Sequence, residues 1–270
     1  MDNRPIGVFD SGLGGLTAVK ELITLLPNED IVYFGDTGRV PYGTKSRQTI
    51  CKYARQDIAL LKQYGVKMIL AACGTVSSIF PAEDVKKLSV LFSGVLLPAV
   101  QQACAASKTK TIGVLGTPAT IHSGAYAEAI RTICPHANII GVPCPLFVPL
   151  VENGYVDKDN RITRLVAAEY LSAFDNLPVD TVILGCTHFP LLKDIIADIV
   201  GQKITLIDPG KEAAGHAAAQ LAANDMLTDS LQKGSIRFLV SDDIESFQNN
   251  AQKFLGRKLE GEIKQVAAEC

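Results

Sequence analysis

Seven short apolar runs, separated by longer stretches of helical periodicity, limit this sequence to a small set of folds. The runs are IGVFD (6–10), DIVYFGD (30–36), KMILAAC (67–73), TIGVLGT (111–117), ANIIGVPC (137–144), DTVILGC (180–186) and KITLIDP (203–209). They are short and mostly rich in β-branched residues, so they read as strands rather than buried helices. Helical patterns lie between them at LTAVKELITLL (16–26), SRQTICKYARQDIALLKQYG (46–65) and RITRLVAAEYLSAF (161–174). In the first, Leu16, Val19, Leu22, Ile23 and Leu26 recur at the helical period, and Gly65 reads as the stop of the second. Strands that alternate with helices need crossover connections. The expected fold is therefore α/β, with mainly parallel sheets flanked by helices.

The alternation also repeats on a larger scale. IGVFDSG, from Ile6, resembles IGVLGTP, from Ile112, and KMILAACGT (67–75) resembles DTVILGCTH (180–188), at offsets of 106 and 113 residues. This echo predicts two similar lobes, the pattern restarting around Pro98. The matching strand ends carry Asp10 and Cys73 in one lobe, and Thr117 and Cys186 in the other. In open α/β sheets, ligands sit beyond the carboxyl ends of the strands. Both cysteines therefore stand where chemistry is expected.

Composition narrows the function. The 270 residues are 47% hydrophobic and 20% charged with a formal net charge of -2, so nothing draws the chain toward nucleic acid or an anionic membrane. No apolar run approaches the roughly 18 residues of a membrane span. The opening MDNRPIGVFDSG lacks the charged-then-apolar pattern of a secretory leader. The seven cysteines are odd in number and scattered, which favours reduced thiols and a cytoplasmic setting. Cys134-Pro-His136 and Cys186-Thr-His188 are Cys-x-His pairs without a CxxC or HxxxH companion, so no metal site is expected.

Cys73 and Cys186 both precede plausible helix starts, with Thr75 or Thr187 as caps and Pro190 in a first turn. A thiol at a helix N-terminus has its pKa drawn below the free value of about 8.5. Two such thiols flanking a small ligand allow one to remove a proton from one face while the other delivers a proton to the opposite face. Cys51, Cys104, Cys134, Cys144 and Cys270 read as ordinary buried cysteines. Four further stretches look like site loops: DSGLGGL (10–16) with Asp10 at its strand tip, GDTGRVPYG (35–43), Glu152 in PLFVPLVENG, and His188 beside Cys186. Each also has a plain reading, as a tight turn, a surface loop, a solvated acid or a structural histidine.

Taken in order, DSGLGGL, GDTGRVPYG, ACGTVSS, LGTPATIHSGAY, PLFVPLVENG and GCTHFPLL resemble the glutamate racemases of the cofactor-independent aspartate/glutamate racemase superfamily. The resemblance implies a two-lobed enzyme with the active site in the cleft between lobes, no cofactor and L-/D-glutamate as substrate. Cys73 and Cys186 become the two acid/base residues, Asp10 and His188 their assistants, and Glu152 a further polar support. Asp10, Ser11, Pro41, Tyr42, Gly43, Gly74, Thr75, Thr187 and His188 fall at the positions that hold the amino acid. It also implies lobes at 1–97 plus 207–270 and at 98–206, a homodimer, and D-glutamate supplied to peptidoglycan precursors. The chain departs from the family at Gly74, where Asn is usual, and this removes an amide beside the substrate. Gly38 in place of Ala, and IDPG in place of DSG, are lesser departures.

Three other readings keep parts of this pattern. A racemase of aspartate or a related acid keeps both thiols. A thiol hydrolase uses Cys186 with His188 as its base and leaves Cys73 idle. A binding protein keeps the cleft without proton exchange.

Overall fold

All seven runs form strands, and the ends of six of them turn out earlier than expected into loops. The computed structural model describes residues 1–268, so Cys270 lies outside the described residues. Among them the strands are β1 (Ile6–Asp10), β2 (Ile31–Gly35), β3 (Met68–Ala71), β4 (Leu91–Gly94), β5 (Thr111–Gly116), β6 (Asn138–Pro143), β7 (Thr181–Leu184), β8 (Thr205–Ile207), β9 (Ile236–Val240) and β10 (Glu262–Gln265). They build two parallel sheets, ordered β10-β9-β2-β1-β3-β4 and β6-β5-β7-β8. The fold class is the expected α/β, with β4, β9 and β10 added to it.

The internal repeat is present in the topology. The order β2-β1-β3-β4 matches β6-β5-β7-β8 strand for strand. Ile6 stands opposite Met68 and Ile112 opposite Thr181, which reproduces the sequence offsets of 106 and 113. In each sheet the winding direction reverses beside the central strand, between β1 and β3 and between β5 and β7. Such a switch point opens a crevice at the carboxyl ends of the strands. Asp10 and Cys73 border the first crevice, Thr117 and Cys186 the second.

Both faces of the central strands β1, β3, β5 and β7 are covered, which is why these strands read as nearly unbroken apolar runs. Side chains alternate along β1: Ile6 and Val8 face one buried cluster, and Phe9 faces another. The second cluster seats Ile50, Ala54, Ile58 and Leu61 of helix Arg47–Gln63 on the first sheet. Ser46 caps that helix by accepting from the Thr49 N–H at 3.3 Å, and Gly65 ends it at a φ of 67°. The first cluster passes from Val8 and Leu70 through Ala213 and Ala217 to Val182 and Leu184 of the second sheet. Helix Pro209–Ala223, capped by Asp208, therefore ties the sheets together by packing on helices Leu16–Leu25 and Leu96–Ala106. Each fully buried Phe, Leu or Ile in these layers stabilises the fold by about 1.5–3 kcal/mol relative to exposure. Among the described residues, no helix is long and apolar enough to cross a membrane.

Candidate active site

The two crevices face each other and share one cavity. Its walls are Ser11, Val40, Pro41, Tyr42, Gly43, Cys73, Gly74 and Thr75 from the first-sheet side, and Thr117, Val148, Glu152, Cys186, Thr187 and His188 from the other. Eleven of the twelve residues singled out from the sequence line it. The twelfth, Asp10, is fully buried behind the wall. Its Oδ2 accepts the Gly12 N–H at 3.0 Å, and the Thr187 hydroxyl reaches Oδ1 at 3.4 Å. Asp10 thus fastens its own turn and touches the opposing loop. Burial raises its pKa, against the lowering pull of the His188 charge and the turn amides.

Cys73 occupies the residue before helix Gly74–Ile79 and is 4% exposed. Its thiol points to the Ser11 hydroxyl at 3.7 Å. The expectation of a lowered thiol pKa fails here. Burial, and then the negative charge of Asp10, push the Cys73 thiol up to about 12, outweighing the help of the Val76 N–H. A dipole effect at one short helix is smaller than removal of the thiolate from water.

Thr75 is no cap. Its hydroxyl instead meets those of Thr117 at 3.0 Å and Thr120 at 3.3 Å, with 3.0 Å between the latter two. This buried threonine cluster joins the two sides of the cavity. Thr117 itself caps helix Pro118–His122 by accepting from the Thr120 N–H.

Cys186 follows β7 by two residues, as Cys73 follows β3. The segment after it forms a 3₁₀ turn, Phe189–Leu192, which runs directly into helix Lys193–Val200. Pro190 sits within the first turn as expected, but Thr187 does not cap it; its hydroxyl is directed to Asp10. His188 is 4% exposed and bridges two partners, with Nδ1 3.8 Å from the Cys186 sulfur and Nε2 3.2 Å from Glu152 Oε1. Burial disfavours its charge, yet the contacts with Cys186 and Glu152 and the charge of Asp10 push its pKa up to about 10. Phe254 fixes the ring edge-on at a centroid distance of 5.3 Å. Glu152 ends helix Phe147–Glu152 and keeps about a third of its side chain in solvent.

The loops approach so closely that glycine is required. A Cβ on Gly74 would lie 2.3 Å from the Gly185 carbonyl oxygen, and one on Gly14 would lie 2.2 Å from the Thr187 hydroxyl. Gly74 therefore leaves no vacant space where an Asn side chain would have been. The opposing backbone fills it.

Sequence reasoning missed Val40, Thr117 and Val148 as wall residues. Each had a signal: Thr117 ends the run TIGVLGT in register with Ser11, and Val40 and Val148 lie within the loops GDTGRVPYG and PLFVPLVENG. Cys51, Cys104 and Cys144 are buried as expected, and Cys134 is half-buried. A wider hollow between Phe80, Phe92, Leu97 and His216 holds neither Cys73 nor Cys186. Among the described residues, no three His, Cys, Asp or Glu side chains converge as metal ligands.

Comparison with known proteins agrees with the fold. The Asp/Glu/Hydantoin racemase family profile matches residues 17–217. The glutamate racemase of Geobacter metallireducens is 41% identical over 99% of this chain and 98% of its own length. That of Chlorobaculum tepidum is 46% identical over 95% of this chain and 94% of its own. Among solved structures, the glutamate racemase of Francisella tularensis in complex with D-glutamate superposes with a TM-score of 0.92 at 41% identity, covering 100% of this chain and 99% of that one. A glutamate racemase isoform of Bacillus anthracis superposes at 0.93 with 32% identity, covering 98% of both chains. The chain belongs to the glutamate racemases, isomerases of the aspartate, glutamate and hydantoin racemase family.

Proposed function

We propose that this chain interconverts L- and D-glutamate without a cofactor, by proton transfer on opposite faces of the α carbon. The observation that carries the reading is the pairing of Cys73 and Cys186. They follow equivalent strands of the two sheets and line one cavity from its two sides. One sulfur removes the α proton while the other delivers a proton to the far face, and the roles exchange for the other enantiomer. Asp10 assists on the Cys73 side and His188 on the Cys186 side, with Glu152 holding the far nitrogen of His188.

The α proton of an amino acid is weakly acidic, so a strong base is an advantage. A thiol with a pKa near 12 is a far stronger base, once ionised, than a free cysteine. The substrate ammonium, brought next to Cys73 and Asp10, favours the thiolate by opposite charge. Backbone N–H groups of Tyr42, Gly43, Thr75 and Thr187 receive the substrate carboxylates and stabilise the charge that develops as the proton leaves. Burial of both sulfurs excludes water and strengthens these contacts.

The two lobes comprise residues 1–97 plus 207–270 and residues 98–206, a division that the membership of the two sheets supports except at Ile207, which ends β8 of the second sheet. Family membership further supports a cytoplasmic homodimer that supplies D-glutamate for peptidoglycan precursors. The test is loss of optical activity, followed by circular dichroism, for L-glutamate and L-aspartate in parallel. The reaction contains chelator and reducing agent but no pyridoxal phosphate. Racemisation of glutamate alone is expected; racemisation of aspartate alone, or of neither, overturns the reading.

A further inference from the structure

Tyr42 lines the cavity, but its hydroxyl is engaged elsewhere. It lies within hydrogen-bond distance of the Asp36 carboxylate and 3.0 Å from Asp57 Oδ2. Arg39 completes the cluster, donating from Nε to Asp36 at 2.6 Å, from one terminal nitrogen to Asp57 Oδ1 at 2.9 Å, and from the other to Gln56 at 2.6 Å. Both aspartates are fully buried, while Arg39 is partly exposed and rests 4.2 Å from the Tyr53 ring centre. Asp36, Arg39 and Tyr42 belong to the segment between β2 and helix Arg47–Gln63. Asp57 reaches them from the middle of that helix.

The proton count is informative. A phenol has one proton and cannot donate to two carboxylates. Two ionised aspartates beside one guanidinium would also leave a net negative charge out of water. Both difficulties disappear when Asp57 is protonated, donating to the phenol oxygen while the phenol donates to Asp36. Burial, and then the neighbouring Asp36, push the Asp57 acid well above its ordinary range, consistent with that arrangement.

We propose that Asp57 is a positioning residue for the Pro41-Tyr42-Gly43 loop, holding it by the Tyr42 hydroxyl so that its N–H groups stay directed at a substrate carboxylate. The proposal rests on the function set out above, in which this loop receives glutamate. A carboxylate bound equally before and during proton transfer contributes to KM more than to kcat.

The test uses the full chain and the variants Asp57→Ala, Asp57→Asn, Tyr42→Phe and the double variant Tyr42→Phe/Asp57→Ala. Steady-state racemisation of L-glutamate and thermal melting are measured on each. Asp57→Ala and Tyr42→Phe should each raise KM about fivefold, the scale of one hydrogen bond, with kcat changing less. The double variant should be no worse than the more damaging single, because both cut the same link. Asp57→Asn should keep KM near the parent value, since its NH₂ donates to Tyr42 and its carbonyl still accepts from Arg39.

A merely structural Asp57 would lower the melting temperature and leave KM unmoved. Unchanged KM in folded variants, an additive double variant, or an Asn variant as impaired as Ala each overturns the proposal. If Asp57→Ala does not fold, Tyr42→Phe and Asp57→Asn decide it. A parent chain that fails to racemise glutamate overturns the function instead. The anchoring is then read from hydrogen exchange at the Tyr42 and Gly43 amides, which should be faster in Tyr42→Phe; no acceleration there overturns it.

Discussion

The Nδ1 atom of His188 stands 3.8 Å from the sulfur of Cys186. Across the cavity the Cys73 sulfur faces the Ser11 hydroxyl, with the Asp10 carboxylate close enough to raise its pKa. The two thiols are therefore electrostatically unlike, one beside a group that holds a proton up to about pH 10, the other beside an anion. Because L- and D-glutamate are equal in energy, kcat/KM must be the same in both directions whatever the enzyme does. The asymmetry shows instead in kcat and KM taken separately and, most directly, in isotope effects. His188→Asn and Asp10→Asn should each lower kcat/KM by about a hundredfold, the low end for positioned acid–base help. Each should raise the primary deuterium effect mainly for one enantiomer, and for opposite ones. A rise for the same enantiomer in both variants would contradict the two-sided assignment.

His188 also links pH to stability. Its pKa is about 10 in the fold against about 6.5 when unfolded. Between those values the native chain holds a proton that the unfolded chain has lost. The contribution is fully present below pH 6.5 and is lost as pH rises through 10, at up to about 1.4 kcal/mol per pH unit. Denaturant titrations of the parent and of His188→Asn should converge over this window as pH rises. Parallel curves would show that His188 carries no such proton.

Asp10→Asn should move activity and thiol acidity in opposite senses. Removing the carboxylate removes a cause of the raised Cys73 pKa, so the thiolate should appear at lower pH than in the parent, where it is about 12. Racemisation should nevertheless fall, through loss of the assisting group. The thiolate ultraviolet band, taken as the difference between Asp10→Asn and Asp10→Asn/Cys73→Ser, measures the first. An unchanged or higher thiol pKa contradicts the electrostatic account.

Gly74 stands where the resemblance to the family leads to an expectation of Asn, yet Asn should not improve this enzyme. A Cβ at Gly74 meets the Gly185 carbonyl at 2.3 Å and can be seated only by parting the loops that carry Cys73 and Cys186. Overpacking of this kind costs about 1–3 kcal/mol, so Gly74→Asn and Gly74→Ala should both lower kcat/KM by about tenfold or more. An Asn variant as active as the parent, measured by racemisation of L-glutamate, contradicts the close contact.

Much of this architecture is legible in the residues because the central strands are covered on both faces. Full burial writes β1, β3, β5 and β7 as apolar runs, and the repeat marks which strand ends correspond. The edge strand β10 is mostly exposed and carries Glu262, Lys264 and Gln265, so it has no apolar signature. β4 is only four residues long and ends in Ser93-Gly94. In the site, the thiols, Asp10 and His188 are legible by residue type and place. The Thr75–Thr117–Thr120 cluster and the contact of Asp57 with Tyr42 are not, since they join residues on different elements with no shared periodicity. The raised Cys73 pKa is hidden in the sequence for a related reason. The sequence places a helix start after the thiol but does not reveal how completely packing among residues such as Phe9, Tyr42 and Val76 removes it from water.

The most direct test of the central claim is the fate of the α hydrogen in D₂O. L-glutamate is incubated with the enzyme, and both enantiomers are recovered early in the reaction and analysed for deuterium. With one thiol for each face, the D-glutamate formed should carry one α deuterium while the remaining L-glutamate carries almost none. Formation of labelled D-glutamate should fall in step with racemisation when Cys73 or Cys186 is replaced by Ala. Deuterium entering L-glutamate as fast as it enters D-glutamate would mean that one exchangeable group serves both faces, and would contradict the account.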